Sequence, residues 1–276
     1  MTREQDVAQH YASSDLIERI EGALRKAGID PARATPADLA PVDEFHIGGA
    51  AATEAFAAKL PFKAGDRLLD VGSGLGGPAR FFAQRFGAHV TGIDLTPEYV
   101  AAATRLSELT RLHDRTAFDV GSALAMPYPG ASFDGAITIH VAMNIRDRAG
   151  LYAEVARVLR PGAVFGVYDV MAGDERPIDF PVPWATTSET SHLTTPEETR
   201  ALLGAAGFAV LEFEDRTAHA REFFTRLVAA AKRAGGPPPV GLHLLTGATH
   251  GQKFANMLTA VSDGRLAPGM IIARRR

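Results

Sequence analysis

Cysteine is missing altogether from this chain of 276 residues, which excludes disulfides, thiolate nucleophiles and cysteine-bound zinc. Strong charge of either sign is missing too. The formal net charge of −3 gives no long-range attraction for a phosphate backbone. No uninterrupted apolar run is long enough to cross a bilayer, and none follows the charged start Met1-Thr2-Arg3-Glu4-Gln5-Asp6 to serve as a secretory signal. The expectation is a cytoplasmic protein that engages neither nucleic acid nor membrane. Arg274-Arg275-Arg276 reads as a solvated end. There is no internal repeat, and no helix-spaced His/Asp/Glu set that suggests a bound metal.

What is present is alternation. The length fits one large α/β domain with an added cap, or two modest domains. Strands are expected at 67–71, 89–94, 116–120, 134–139 and 163–169, with helices near 78–86, 97–110 and 147–158. That is the pattern of a mostly parallel sheet covered on both faces. Thr195-Pro196-Glu197-Glu198 opens a helix at 196–206 that leads to a sixth strand at 208–215, and a seventh at about 268–274 closes the sheet. Ahead of this core, Val7, Tyr11, Leu16, Ile17, Ile20, Leu24 and Ala27 lie near helical spacing and suggest two short helices, with Ser14 or Asp15 capping the second. Pro31, Pro36 and Pro41 break the pattern before the alanine-rich run 50–59. The chain therefore divides into a helical extension at 1–60, a ligand-binding core at 61–171, an inserted loop at 172–195, and the rest of the core at 196–276. That last part carries a helical insertion at 216–262 around Gly235-Gly236-Pro237-Pro238-Pro239.

The first strand runs into Asp70-Val71-Gly72-Ser73-Gly74-Leu75-Gly76-Gly77-Pro78. Gly72 and Gly74 permit backbone angles closed to other residues and let a ligand approach the main chain. Pro78 suits a first helical turn, whose free N–H groups favour an electron-rich ligand. Gly72-x-Gly74-x-x-Gly77 with Asp94 also fits a dinucleotide fingerprint, so a nicotinamide-dependent oxidoreductase stands as one alternative and a non-catalytic cofactor-binding module as another. Asp70 argues against the dinucleotide. Its carboxylate would repel a pyrophosphate and suits a cationic ligand end.

The run 67–81 resembles motif I of the class I S-adenosylmethionine-dependent methyltransferases, whose acid-x-Gly-x-Gly-x-Gly turn holds the methionine half of the cofactor. By that resemblance S-adenosyl-L-methionine is the cofactor, S-adenosyl-L-homocysteine the product, and Asp70, Gly72, Ser73 and Gly74 bind the methionine half. Asp94 is suited to accept from both ribose hydroxyls, and Leu95 to lie against the adenine. Gly121-Ser122-Ala123 follows the third strand, with Ser122 where many relatives have an acid that bonds the adenine amino group. The fourth strand ends Ile139-His140-Val141-Ala142-Met143-Asn144 and lacks the Asn/Asp-Pro-Pro-Tyr/Phe of nucleobase amine methylases. Leu159-Arg160-Pro161-Gly162 is similar to a turn of small-molecule methyltransferases.

Together residues 66–170 resemble the family shared by ubiquinone and menaquinone C-methyltransferases and by phosphoethanolamine and sarcosine/dimethylglycine N-methyltransferases. The missing cysteines set the chain apart from arsenite methyltransferases. The resemblance implies a Rossmann-like α/β fold: a seven-stranded, mostly parallel sheet with an antiparallel last strand, helices on both faces, an N-terminal helical lid and inserted cap segments. Phe45-His46-Ile47-Gly48-Gly49 is similar to the segment that closes over the cofactor in phosphoethanolamine enzymes, which makes Tyr11, His46 and Gly48 cofactor-binding candidates. Pro181-Val182-Pro183-Trp184-Ala185 is similar to a loop near the acceptor pocket. Trp184 is thus a substrate-binding candidate, with Tyr168 and Asp169 at the end of the fifth strand, where open α/β sheets bind ligands.

The sulfonium already activates the methyl group, so transfer is an in-line displacement governed by positioning, and a base is needed only for a protonated acceptor. His140 and His46 are the candidates for that base because imidazole titrates near working pH; His140 is a cofactor-binding candidate as well. His192, His243 and His250 read as surface residues. Trp184, Phe180, Phe223, Phe224 and Phe254 suit either an aromatic box or core packing. The acceptor is expected to be a small molecule methylated at nitrogen, oxygen or carbon, and monomer and homodimer are both open.

Overall fold

A computed structural model describes residues 15–174, 176–234 and 238–276. Among them β1 (Arg67–Val71), β2 (His89–Asp94), β3 (Thr116–Val120), β4 (Phe133–Ile139), β5 (Leu159–Asp169), β6 (Phe208–Asp215) and β7 (Gly269–Arg275) form one sheet in the order β3-β2-β1-β4-β5-β7-β6. The first five pair in parallel, and β7 enters antiparallel between β5 and β6. This is the Rossmann-like arrangement of class I methyltransferases.

Alternation along the strands produces two cores. Leu68, Ile137 and Val164 face one layer with Phe56, Phe82, Phe224 and Phe254, while Leu69, Ala136 and Phe165 face the other with Leu151, Tyr152 and Leu203. The first layer holds α3 (Gly49–Ala57), α4 (Gly77–Phe86), α8 (Thr217–Ala234) and α10 (His250–Ser262), labelled in chain order. Opposite lie α6 (Arg148–Val158) and α7 (Pro196–Ala205). A third cluster joins α1 (Leu16–Lys26) and α2 (Pro36–Asp43) to α5 (Pro97–Leu109) through Leu16, Ile20, Leu24, Leu39, Tyr99 and Leu106. A short α9 (His243–Thr246) precedes α10.

Three expectations shift. The prolines at 36 and 41 do not keep that stretch irregular. Pro36 takes the first position of α2, where no N–H is needed, and Thr35 with Asp38 completes a capping box. β5 begins at Leu159 rather than 163: Leu159 pairs with Phe133 ahead of a register shift, and Gly162 takes φ +82° to turn the chain. Asp15 stands at the N-cap of α1 without a side-chain cap bond. The first of the two expected N-terminal helices, Ser14, Tyr11 and most of the Gly235–Pro239 bend lie outside the described residues. No described helix is long and apolar enough to cross a membrane.

Candidate active site

A cavity of about 840 Å³ opens at the carboxyl ends of β1, β2 and β4. Its first half is built largely of main chain. After Val71 the chain turns sharply: Gly72, at φ +74°, and Ser73 both donate their N–H to Ile93 O, at 2.8 and 3.1 Å. A Cβ at Gly72 would lie 2.4 Å from Val141 Cγ2, so the turn needs glycine to pass under the β4 end. Gly74 has φ +51°, and a Cβ there would meet nothing within 4 Å; it would stand in the cavity Gly74 lines. The third glycine of the fingerprint serves a different contact. A Cβ at Gly77 would sit 2.5 Å from Asp43 O, so this glycine lets the end of α2 rest on the start of α4.

Three carboxylates face this half, each in a different state. Asp94 ties the turn to β2, accepting from Gly74 N–H at 2.8 Å and Thr96 N–H at 2.9 Å. Asp43 is paired with Arg80, which donates to it at 2.6 Å and to Leu75 O at 2.7 Å; both side chains are buried. Asp70 has no such support. Its Oδ2 is buried without a hydrogen-bond partner, as is the neighbouring Ser73 Oγ. Burial, with the charge of Asp94 nearby, pushes the Asp70 carboxyl up to about 7. A buried carboxylate edge and a hydroxyl without donors are what a ligand ammonium would satisfy, so the residues present fit the amino-acid tail of S-adenosylmethionine.

The chain between α2 and α3 roofs this half with Phe45, His46 and Ile47. Two strand-end side chains grip the Ile47 peptide: Tyr168 donates its hydroxyl to Ile47 O at 2.9 Å, and Ile47 N–H donates to His140 Nε2 at 3.4 Å. His140 sits at φ +55° with Tyr168 edge-on at 4.7 Å between ring centroids. Burial, reinforced by His46, holds the His140 imidazole well below its usual range. His46 Nε2 lies 3.1 Å from Gly49 O and 3.0 Å from Thr53 Oγ1, and burial brings its pKa down to about 4.

The second half is built of side chains. Phe223 and Phe224 from α8, Leu242 and Leu245 around α9, and Phe254 and Met257 from α10 face Trp184 of the inserted loop. Trp184 anchors its indole N–H on Ser191 Oγ at 3.0 Å. Polar groups line the cavity too: Arg146 and Glu189 are exposed, whereas His192 is part-buried and Asn144 is part-buried with its Oδ1 buried without a hydrogen-bond partner.

Several candidates stand elsewhere than expected. Asp70, Gly72, Ser73, Gly74, Asp94, Leu95, Gly121, Ala123, His46, His140 and Trp184 all line the cavity, and Ser122 does not. Its hydroxyl turns back to accept from Leu124 N–H at 3.1 Å. Gly48 is no part of the wall either; at φ +90° it starts α3, and a Cβ there would lie 2.6 Å from His219 Nε2. Tyr168 and Asp169 were expected on the pocket wall, but both are fully buried behind it. The first holds Ile47, and the second pairs with Arg148 at 3.4 Å. His192 was expected at the surface and instead lines the cavity, whereas His243 and His250 do not reach it. Sequence reasoning missed Asp43 and Arg80, which sit on separate helices and meet only in the fold. Phe180 packs against the core rather than lining the cavity. Among the described residues no cluster fits a metal ion.

The methyltransferase domain family matches residues 69–167. The chain is 39% identical over 118 residues to a sterol 24-C-methyltransferase of Gibberella zeae, covering 43% of this chain and 31% of the relative. It thus spans about a third of the length of that curated relative. In three dimensions it resembles phosphoethanolamine N-methyltransferase 2 of Haemonchus contortus, solved with phosphomonomethylethanolamine and S-adenosylhomocysteine (TM-score 0.75, 20% identity, 100% of this chain and 61% of that one). It also resembles the [4+2]-cyclase SpnF (TM-score 0.67, 25% identity, 100% of this chain and 97% of that one). The resemblance to class I methyltransferases carried by the sequence motifs is therefore met by a methyltransferase-domain match over residues 69–167 and by the fold.

Proposed function

We propose that this protein transfers a methyl group from S-adenosyl-L-methionine to a small, largely apolar acceptor. The observation that carries the reading is Asp70. A buried carboxylate edge without a donor, beside an unpaired Ser73 hydroxyl, suits the cofactor's ammonium and would repel a dinucleotide's pyrophosphate. In this reading Gly72 and Gly74 let the methionine half lie against the main chain, Asp94 receives the ribose hydroxyls, and Leu95 and Ala123 flank the adenine. Bound there, the cofactor supplies an already activated methyl group. The chain's own contribution is to orient the acceptor and exclude water beneath the Phe45–Ile47 roof, which gives residues 1–60 the role of a lid.

The acceptor half supports an apolar substrate, because Phe223, Phe224, Phe254, Met257, Leu242 and Leu245 offer no buried charge to hold a small cation. S-adenosylhomocysteine is expected to raise the melting temperature by several degrees at saturation while NAD leaves it unchanged. The opposite ranking would hand the site to an oxidoreductase. Likeness to a cyclase of the same fold supports a second reading, in which the cofactor binds without transfer. Formation of S-adenosylhomocysteine on adding apolar hydroxylated or amine acceptors separates the two.

A further inference from the structure

Glu44, Thr53 and His46 form a buried cluster under the roof of the cavity, with relative exposures of 5%, 0% and 6%. Thr53 Oγ1 donates to Glu44 Oε2 at 2.6 Å. A threonine has one hydroxyl proton. With that proton committed to Glu44, the oxygen acts only as an acceptor toward His46 Nε2, 3.0 Å away. The Gly49 carbonyl, 3.1 Å from the same nitrogen, can likewise only accept. Both neighbours place the imidazole proton on Nε2. The ring is neutral, so Nδ1 is left as the lone-pair nitrogen of a side chain that lines the cavity. His140 is arranged the other way round. Its Nε2 accepts from the Ile47 N–H, which puts the proton of the neutral ring on Nδ1 and leaves no lone pair free.

We infer that Glu44 and Thr53 are positioning residues that hold His46 in its Nε2–H tautomer, making His46 Nδ1, and not His140, the group that takes the proton of a hydroxyl acceptor. The inference rests on the methyl-transfer reading above. In the step it describes, the acceptor's lone pair forms the new bond to the methyl carbon. The carbon–sulfur bond breaks, its electron pair passes to sulfur, and the acceptor's proton passes to Nδ1. The imidazolium formed keeps its Nε2–H against Thr53 Oγ1 and Gly49 O.

The tautomer is directly observable and does not require the acceptor to be known. Long-range proton–nitrogen correlation spectra of the full chain labelled at histidine nitrogen, with the His46 signals assigned through His46→Gln, should show a neutral Nε2–H ring at about neutral pH. Glu44→Gln keeps an oxygen for the Thr53 hydroxyl and should retain that ring state. Glu44→Leu frees the hydroxyl to turn its proton on Nε2, and should yield a measurable Nδ1–H fraction. A wild-type ring protonated on Nδ1, or a folded Glu44→Leu protein with the wild-type pattern, overturns the inference. Should Glu44→Leu not fold, the wild-type and Glu44→Gln spectra still decide it. Stabilisation of the same samples by S-adenosylhomocysteine is scored separately: a thermal shift with the wrong tautomer removes only this inference, and the right tautomer without a shift removes the methyl-transfer reading.

Discussion

The two halves of the cavity are made of different material. Around Asp70, Gly72, Gly74 and Asp94 the wall is main chain and carboxylate, fixed by hydrogen bonds between strand ends. Around Phe223, Phe254 and Trp184 it is apolar side chain borne on helices and an inserted loop. A wall of the first kind dictates a ligand group by group, because every amide and carboxylate in it has a preferred partner. The second kind sets only size and polarity. This is why the donor is readable from the chain while the acceptor is narrowed only to a class.

The contrast can be tested by damaging each half in turn. The largest effect is expected from Arg80→Met, which strands Asp43 as a buried uncompensated carboxylate and should cost about 3–5 kcal/mol in urea unfolding. Next comes Asp70→Asn. Losing one charge-assisted contact should weaken S-adenosylmethionine binding by about 1.5–3 kcal/mol, roughly ten- to a hundredfold by calorimetry.

A pH series sharpens the same point. The folded Asp70 carboxyl keeps its proton up to about 7, whereas an unfolded one releases it near the ordinary carboxyl value of 3.8, so this group makes the ligand-free protein lose stability as pH rises between those values. A cationic ligand favours the ionised form, so cofactor affinity should rise with pH toward and through 7, with proton release detectable in buffers of different ionisation enthalpy. The smallest effect is expected in the other half. Phe254→Leu should cost about 1 kcal/mol of stability and leave S-adenosylhomocysteine affinity unchanged. A large loss of cofactor affinity there would show that the halves are not separable.

Legibility follows the same division. Strand positions, the glycine turn and Asp94 were readable because apolar period and backbone need are local. The role of Gly77 was not, since its constraint comes from Asp43, 34 positions away, resting on it. Tyr168 and Asp169 illustrate the opposite failure. Their place at a strand end was right, but which way a side chain turns there depends on Ile47 and Arg148, partners brought in from other elements. Ser122 prefers a bond within its own loop, a choice that short polar side chains in turns often make. Pro36 and Pro41 were read as breakers although the first is a favoured helix start.

The antiparallel placement of β7 also bears on how the molecule is born. β6 pairs with β7 and touches no other strand, and β5 relies on β7 for its second edge, so during synthesis β6 must wait for a segment translated more than fifty residues after it. Until residues 269–275 emerge, the nascent sheet ends in an open β5 edge, which invites pairing with other chains. Slow translation of α8 to α10 would lengthen that exposure, and quick delivery of the closing strand would shorten it.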